Sequence, residues 1–246
     1  MTPRLPVPGL PRLPPFARAA LLLDLDGTLL DIAPTPDSVQ VPPALPDTLR
    51  TLGTRLGGAL AIISGRTVAE VDALLNAAPP AVAGEHGGAL RRAPGGALER
   101  TDLPAAPQAW RDAAQHLVAA HPGALLEHKP RGFVVHYRLA PAAGPELHAA
   151  LAALLAGQTA FDLMAAHMAW EVRPRGADKG TAVAALLRAA PFAGRLPVFI
   201  GDDVTDRDAI AAAIAQGGAG MLVADAFGTP AGVRRWLATV AEQGWN

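Results

Sequence analysis

Four short apolar runs, each ending in a cluster of polar residues, constrain this chain more than any other feature. Residues 20–25 end at Asp24 and Asp26, and 59–63 at Ser64-Gly65-Arg66. Residues 81–83 end at Gly84-Glu85-His86-Gly87, and 196–200 at Gly201-Asp202-Asp203. Apolar runs without polar alternation suit strands buried on both faces, as in parallel sheets. Helical patterns separate these runs. Leu45, Leu49, Leu52 and Leu56 recur at helical spacing, and Gly57-Gly58 supplies a stop. Thr67 and Glu70 form a capping-box pattern opening a helix through Leu75. Asp178 stands as N-cap of a helix to residue 190, and Thr229-Pro230 opens a terminal helix carrying Val233, Trp236, Leu237 and Val240. Repetition of strand, polar tip and helix predicts an α/β fold around an open, Rossmann-like parallel sheet.

After residue 103 the rhythm changes. Helical patterns at 108–120 and 145–155 alternate with pairs of strand-like runs at 124–128, 133–139, 161–164 and 168–172. An α-β-β-α-β-β order predicts an antiparallel sheet with helices on one face. The first rhythm returns near residue 178, so this second α+β domain, 104–172, is inserted into a core formed by 18–103 and 173–246. Residues 1–17 read as an extended, mobile tail, because the first sixteen hold six prolines and no apolar segment of signal-peptide type.

Composition narrows the function. Half of the 246 residues are apolar and 17% are charged, enough for a substantial core. A net charge of −1 without a basic segment argues against nucleic acid as partner. Absence of cysteine removes disulfides, thiolate metal sites and a thiol nucleophile. The N-terminal apolar run is broken by Asp24 and Asp26, so no membrane span fits there. A soluble, cytoplasmic, monomeric protein is the expectation.

Ligands of open α/β sheets bind at the carboxyl ends of the strands. There the chain gathers Asp24, Asp26, Asp202, Asp203 and Asp206 with Ser64, Glu85 and His86, and Lys179 stands at a helix start, where backbone N–H groups attract anions. Two carboxylates 4 Å apart repel by about 4 kcal/mol at an effective dielectric near 20, so the cluster calls for a cation. All-oxygen ligation by Asp points to Mg²⁺. Only two lysines, Lys129 and Lys179, occur among 21 cationic residues. Most of that skew is compositional, yet it singles out two places where a compact point charge is kept instead of a planar fork. Each element has an ordinary explanation by itself: Asp-x-Asp as a turn, Lys-Gly as an exposed helix start, Asp-Asp-x-Thr-Asp as a solvated cap. Those explanations would have to hold at four tips of one sheet at once.

Asp24-Leu25-Asp26-Gly27-Thr28-Leu29 resembles the first motif of the haloacid dehalogenase-like (HAD) hydrolases. Ser64, Lys179 and Gly201-Asp202-Asp203-x-Thr205-Asp206 match the second, third and fourth in order. Within that superfamily the chain is similar to the trehalose-6-phosphate phosphatase family over nearly its whole length beyond the tail. The matching segments are Ile63-Ser64-Gly65-Arg66, Gly84-Glu85-His86-Gly87, Glu127-x-Lys129, His136-Tyr137-Arg138 and Glu171-Val172-Arg173-Pro174. The resemblance implies a HAD core with an inserted C2-type α+β cap, and a Mg²⁺-dependent phosphatase releasing trehalose and phosphate as the last step of trehalose biosynthesis. A functional link to trehalose-6-phosphate synthase follows.

The same resemblance implies Asp24 as nucleophile and Asp26 as acid and base. Asp24, the backbone carbonyl of Asp26, Asp202 and Asp203 are the implied metal ligands. Ser64 and Lys179 would hold the phosphoryl oxygens. Thr28, Gly65, Arg66, Glu85 and His86 from the core, with Lys129, His136 and Glu171 from the cap, complete the implied substrate site. Glu127 reads as a salt-bridged neighbour of Lys129, and Arg91, Arg92 and Arg100 as solvated surface. Two positions depart from the family pattern: Arg207 follows Thr205-Asp206 where Glu is common, and Asp178 replaces a small hydroxyl before Lys179, where it can cap the helix or pair with that lysine. The same chemistry on sucrose phosphate or a glycosyl-glycerate phosphate, and a silent sugar-phosphate-sensing domain, are the alternatives.

Overall fold

Every residue of β1 (Ala19–Leu23) is buried. The computed structural model, which describes residues 10–35 and 38–245, places this strand inside a seven-stranded sheet of order β11-β10-β1-β2-β3-β4-β5. In chain order β1 is followed by α1 (Leu45–Arg55), β2 (Leu60–Ile63), α2 (Val68–Leu75), β3 (Ala81–Gly84), β4 (Ala89–Arg91) and β5 (Leu98–Arg100). An inserted segment carries α3 (Gln108–Ala119), β6 (Leu125–His128), β7 (Phe133–His136), α4 (Gly144–Leu154), β8 (Phe161–Ala166) and β9 (Ala169–Pro174). The first sheet then resumes with α5 (Lys179–Leu187), β10 (Leu196–Gly201), α6 (Asp206–Ala215), β11 (Ala219–Leu222), α7 (Val223–Ala226) and α8 (Pro230–Gln243). By contacts the chain divides into one unit of residues up to 101 with 177 onward, and a second of residues 102–176.

In the first unit β11, β10, β1, β2 and β3 pair in parallel. The chain steps from β1 outward to β2 and β3, and later returns to the opposite side of β1 as β10. The strand order therefore reverses between β1 and β10, and open α/β sheets bind ligands at such a switch point. The Asp24 N–H continues the pairing by donating to the Ile200 carbonyl at 2.9 Å, which brings the tips of β1 and β10 side by side. The expected capping box at Thr67 and Glu70 is present, with reciprocal bonds of 3.2 and 2.7 Å opening α2.

Two features differ from the sequence expectation. Beyond β3 the sheet continues as an antiparallel hairpin, β4 and β5. Of the expected proline-rich tail, residues 1–9 lie outside the described residues, but the remainder is held down. Leu10 and Leu13 pack on the core, the Phe16 ring meets Trp245 edge-on at 4.7 Å, and Trp245 Nε1 donates to the Pro14 carbonyl at 2.8 Å. A buried aromatic anchor of this kind contributes about 1.5–3 kcal/mol, enough to order a short extended segment.

The second unit is a four-stranded antiparallel sheet of order β6-β7-β9-β8, through Pro174 in β9. Its core joins Phe133, Val135, Phe161 and Val172 of the sheet to Ala114 and Val118 of α3 and Leu147 and Leu151 of α4. One face of the sheet is thereby covered by helices. Among the described residues, no helix is long and apolar enough to cross a membrane.

Candidate active site

Asp24 stands directly beyond β1 and is 3% exposed. Its Oδ1 accepts from Lys179 Nζ at 2.7 Å, whereas Oδ2 is buried without a hydrogen-bond partner. Lys179, 4% exposed, also reaches Asp206 Oδ1 at 2.5 Å. Asp206, fully buried, turns its other oxygen to the backbone N–H groups of Asp202 and Asp203 at 2.9 and 3.0 Å. It therefore sets the shape of the β10 tip as well as the place of the lysine. Asp178 does not pair with Lys179: it accepts from Thr181 N at 2.7 Å and caps α5, leaving the ammonium to the interior carboxylates.

Charge at this centre is unbalanced. Burial pushes the Asp24 carboxyl well above its ordinary range, Lys179 opposes the rise, and Asp206 and Asp202 add to it. Burial, with Asp206 beside it, raises Asp202 to about 6. Burial works against the Lys179 charge, but the Asp24 and Asp206 carboxylates outweigh it and hold the ammonium above its usual range. One cation cannot neutralise three neighbouring carboxylates.

Those three, Asp24, Asp202 and Asp206, offer oxygens that all lie within 4.8 Å of one another. The bare Asp24 Oδ2, the acceptor-only chemistry of the set and its excess negative charge fit a hard divalent cation. The approach is kept open at Gly27, whose φ is +84° and whose position could not carry a side chain, since a Cβ there would lie 2.1 Å from Asp202 Oδ2. Thr28 Oγ1 lies 3.4 Å from Asp202 Oδ1 and steadies that carboxylate. Of the four ligands expected from the sequence, Asp24 and Asp202 fall in this group, which consists of side-chain carboxylates and so does not bear on the backbone carbonyl of Asp26. Asp203 turns aside, its Oδ1 accepting from Val204 N at 2.6 Å. The Asp26 side chain is held by Arg66, whose Nε and Nη2 donate to the two carboxylate oxygens at 2.7 and 2.9 Å. Asp206 takes the third place in the group. Its position four residues after Asp202, at the start of α6, was the available signal.

The tips of β2 and β3 are laced together. Ser64 accepts through Oγ from Arg66 N at 3.1 Å, and its carbonyl accepts from His86 N at 2.9 Å. The Arg66 carbonyl accepts from Glu85 N at 2.9 Å. The His86 ring lies so close over Gly65 that a Cβ there would come within 2.6 Å of Nε2, which accounts for the glycine. Glu85 and His86 both adopt left-handed backbone angles, φ +54° and +53°. The arginines expected to be solvated differ from one another. Arg91 is buried and binds Asp72 at 2.6 Å, Arg92 pairs with Glu99, and Arg100 pairs with Glu85.

In the second unit the register places Glu127, Val134, Glu171 and Met164 in one row across the sheet. His136 lies two residues along β7 from Val134 and so shares its face. This is the face opposite α3 and α4. Glu127 links Lys129 and His136, accepting from the ammonium and lying 2.8 Å from His136 Nε2. Burial opposes the Glu127 charge, but His136 and Lys129 outweigh it and draw the carboxyl down to about 2. The two units thus each gather polar groups on one side: carboxylates around a buried lysine in the first, and Glu127, Lys129, His136 and Glu171 in the second.

The trehalose-phosphatase family model matches residues 22–230. Trehalose-6-phosphate phosphatase of Escherichia coli is 38% identical over 233 residues, covering 94% of this chain and 85% of its own. A Sinorhizobium fredii chain named for the same phosphatase activity is 44% identical over 188 residues, 76% of this chain and 71% of that one. In fold, the C-terminal domain of C. albicans trehalose-6-phosphate phosphatase superimposes with a TM-score of 0.77 at 22% identity, covering 92% of each chain. With the acidic switch point, the buried lysine and the inserted sheet in place, these matches show that the chain is an enzyme of the trehalose-phosphatase family, on a HAD-type fold.

Proposed function

We propose that this enzyme hydrolyses trehalose 6-phosphate to trehalose and phosphate in two steps through an aspartyl-phosphate on Asp24. The observation that carries the reading is the buried Asp24 carboxylate, with one oxygen fixed on Lys179 and the other bare. The substrate follows from the names of relatives that align over most of the chain. Phosphate monoesters are among the slowest species to hydrolyse in water, and acceleration depends chiefly on managing charge.

In the first step Asp24 attacks phosphorus and the P–O bond to the sugar breaks, while Asp26 gives a proton to the departing oxygen. Arg66 aims Asp26 by holding both its oxygens, so proton delivery requires that one of them leave the guanidinium. In the second step Asp26 takes a proton from water, whose oxygen attacks the aspartyl-phosphate and frees phosphate and Asp24. Lys179 and Ser64 hold phosphoryl oxygens throughout. Asp24 and Asp202, with Asp206 close by, would hold Mg²⁺, which supplies neutralisation of the charge gathering on the phosphoryl group.

Lys129, His136 and Glu171 bind sugar hydroxyls from the inserted unit, which acts as a cap excluding water, and Glu85 and His86 bind them from the core. The enzyme would act in the cytoplasm on the product of trehalose-6-phosphate synthase. Phosphate release from a panel of trehalose 6-phosphate, sucrose 6-phosphate, a glycosyl-glycerate phosphate and glucose 6-phosphate, with and without Mg²⁺, tests the reading. Preference for trehalose 6-phosphate that depends on Mg²⁺ supports it. Release without added metal and in EDTA, or preference for another sugar, overturns it.

A further inference from the structure

The β4–β5 hairpin poses a question of purpose. All three residues of β5 are exposed, so the strand brings no apolar surface into the core. What it does bring is Arg100, whose Nη1 donates to both Glu85 carboxylate oxygens at 2.9 and 3.1 Å. The Glu85 side chain is only 9% exposed, whereas that of Arg100 is 42% exposed. A nearly covered carboxylate is therefore held by a cation reaching in from a more exposed position. Its backbone is costly as well. Glu85 and His86 are consecutive non-glycine residues at φ +54° and +53°, a conformation that persists only where the surroundings over-determine the turn. The surroundings here are the bonds to the Arg66 and Ser64 carbonyls, the Gly88 N–H on the Glu85 carbonyl at 3.0 Å, and Arg100. A surface ion pair that served stability alone would not need a covered carboxylate on a strained turn at the ligand edge of the sheet.

We propose that Arg100 is a positioning residue for sugar recognition: it fixes the Glu85 carboxylate as a preorganised acceptor for substrate hydroxyls. This rests on the trehalose 6-phosphate reading and on Glu85 as a sugar contact. The side-chain bonds of Arg100 go to Glu85 and not to the Asp24 centre, so its effect is expected on whatever Glu85 contacts. Because a single nitrogen spans both oxygens, a lysine ammonium can reproduce the contact in part, unlike at a two-nitrogen fork.

The test is steady-state kinetics of wild type, Arg100→Ala, Arg100→Lys, Glu85→Gln and the Arg100→Ala/Glu85→Gln double variant, each checked by thermal melting. Trehalose 6-phosphate and p-nitrophenyl phosphate are the substrates. Arg100→Ala is expected to raise KM for trehalose 6-phosphate about tenfold, with its loss in kcat/KM exceeding that on p-nitrophenyl phosphate by a similar factor. Arg100→Lys is expected to recover most of that loss. In the Glu85→Gln background, removing Arg100 should add little, since its partner is already changed. Equal losses on both substrates, fully additive losses, or no loss would each overturn the proposal, and Arg100→Lys decides it if the alanine variant does not fold. A wild type inactive on trehalose 6-phosphate but active on another sugar phosphate overturns the substrate reading alone, and the same variants then decide Arg100 on that sugar. Inactivity on every sugar phosphate overturns both.

Discussion

Carboxylates in the two units are treated in opposite ways. At the β1–β10 tip, burial and mutual repulsion push Asp24 and Asp202 above their ordinary ranges, against the opposing pull of Lys179. On the inserted sheet Glu127 sits between Lys129 and His136 and falls to about 2. The first arrangement is complete only when further positive charge arrives. The second is complete by itself and presents a fixed polar face. On the function proposed above, a centre that must stabilise changing charge is left unbalanced, and a surface that recognises neutral hydroxyls is built balanced.

The sharpest way to break this comparison is Asp24→Asn. An amide cannot attack phosphorus, so phosphate release should fall by about four orders of magnitude or more, as for loss of other enzymic nucleophiles, with circular dichroism unchanged. Substantial residual activity in a folded variant removes Asp24 as nucleophile. Lys179→Ala comes next. It takes away the ammonium between Asp24 and Asp206, and should cost about 10²–10³ in kcat, the scale seen when one transition-state donor is lost. Lys179→Arg should recover little, because two buried carboxylates surround a point charge and leave no room for a planar fork. An arginine variant as active as wild type defeats the point-charge argument.

On the inserted sheet, effects should be smaller and selective. Lys129→Ala or Glu171→Ala should lower kcat/KM for trehalose 6-phosphate by at least about tenfold, and p-nitrophenyl phosphate hydrolysis by much less. Equal losses on both substrates assign these residues to the fold instead.

Stability against pH sharpens the contrast, because its two halves have opposite sign. Asp202 rises from an ordinary 3.8 to about 6 in the folded protein, so its contribution to the metal-free fold is fully present below the lower value and is lost as pH climbs through the upper one. Added Mg²⁺ should reverse that loss and raise Tm by several degrees, and Asp202→Asn should reduce the slope, leaving the Asp24 part, and remove the Mg²⁺ shift. A Tm insensitive to Mg²⁺ argues against the Asp24–Asp202–Asp206 cation site. Glu127 falls from 4.5 to about 2, so its contribution is fully present above the first value and fades as pH drops toward the second. Urea unfolding of wild type against Glu127→Gln should differ in slope only in that acid window, and this is the smallest effect. Parallel profiles remove Glu127 as a charge-stabilised link between Lys129 and His136.

The strand tips were legible because buried parallel strands are nearly pure apolar runs, and a polar cluster at the end of one stands out. The capping box at Thr67 and the α5 cap at Asp178 were legible for a local reason: donor and acceptor lie three residues apart. The β4–β5 hairpin was not, since its strands have three residues each and β5 is wholly exposed, leaving no periodic pattern. The packing of residues 10–18 was also hidden. Proline content predicts an extended chain, but the edge-on Phe16–Trp245 contact that ties it down joins two ends of the sequence with no local trace. Asp206 was legible as a member of the acidic cluster, yet its place beside Asp24 and Asp202 and its bond to Lys179 appeared only with the geometry.

The sequence by itself determined which chemical groups stand at which strand ends, because apolar runs, caps and short motifs act over a few neighbouring residues. Only the tertiary structure decided which carboxylates stand close enough together to hold a cation, which are already neutralised, and which arginine holds Glu85. Asp24 and Lys179 are 155 residues apart in the chain and 2.7 Å apart in space. Coulomb energy depends on the second separation and on burial, and neither can be read along the chain.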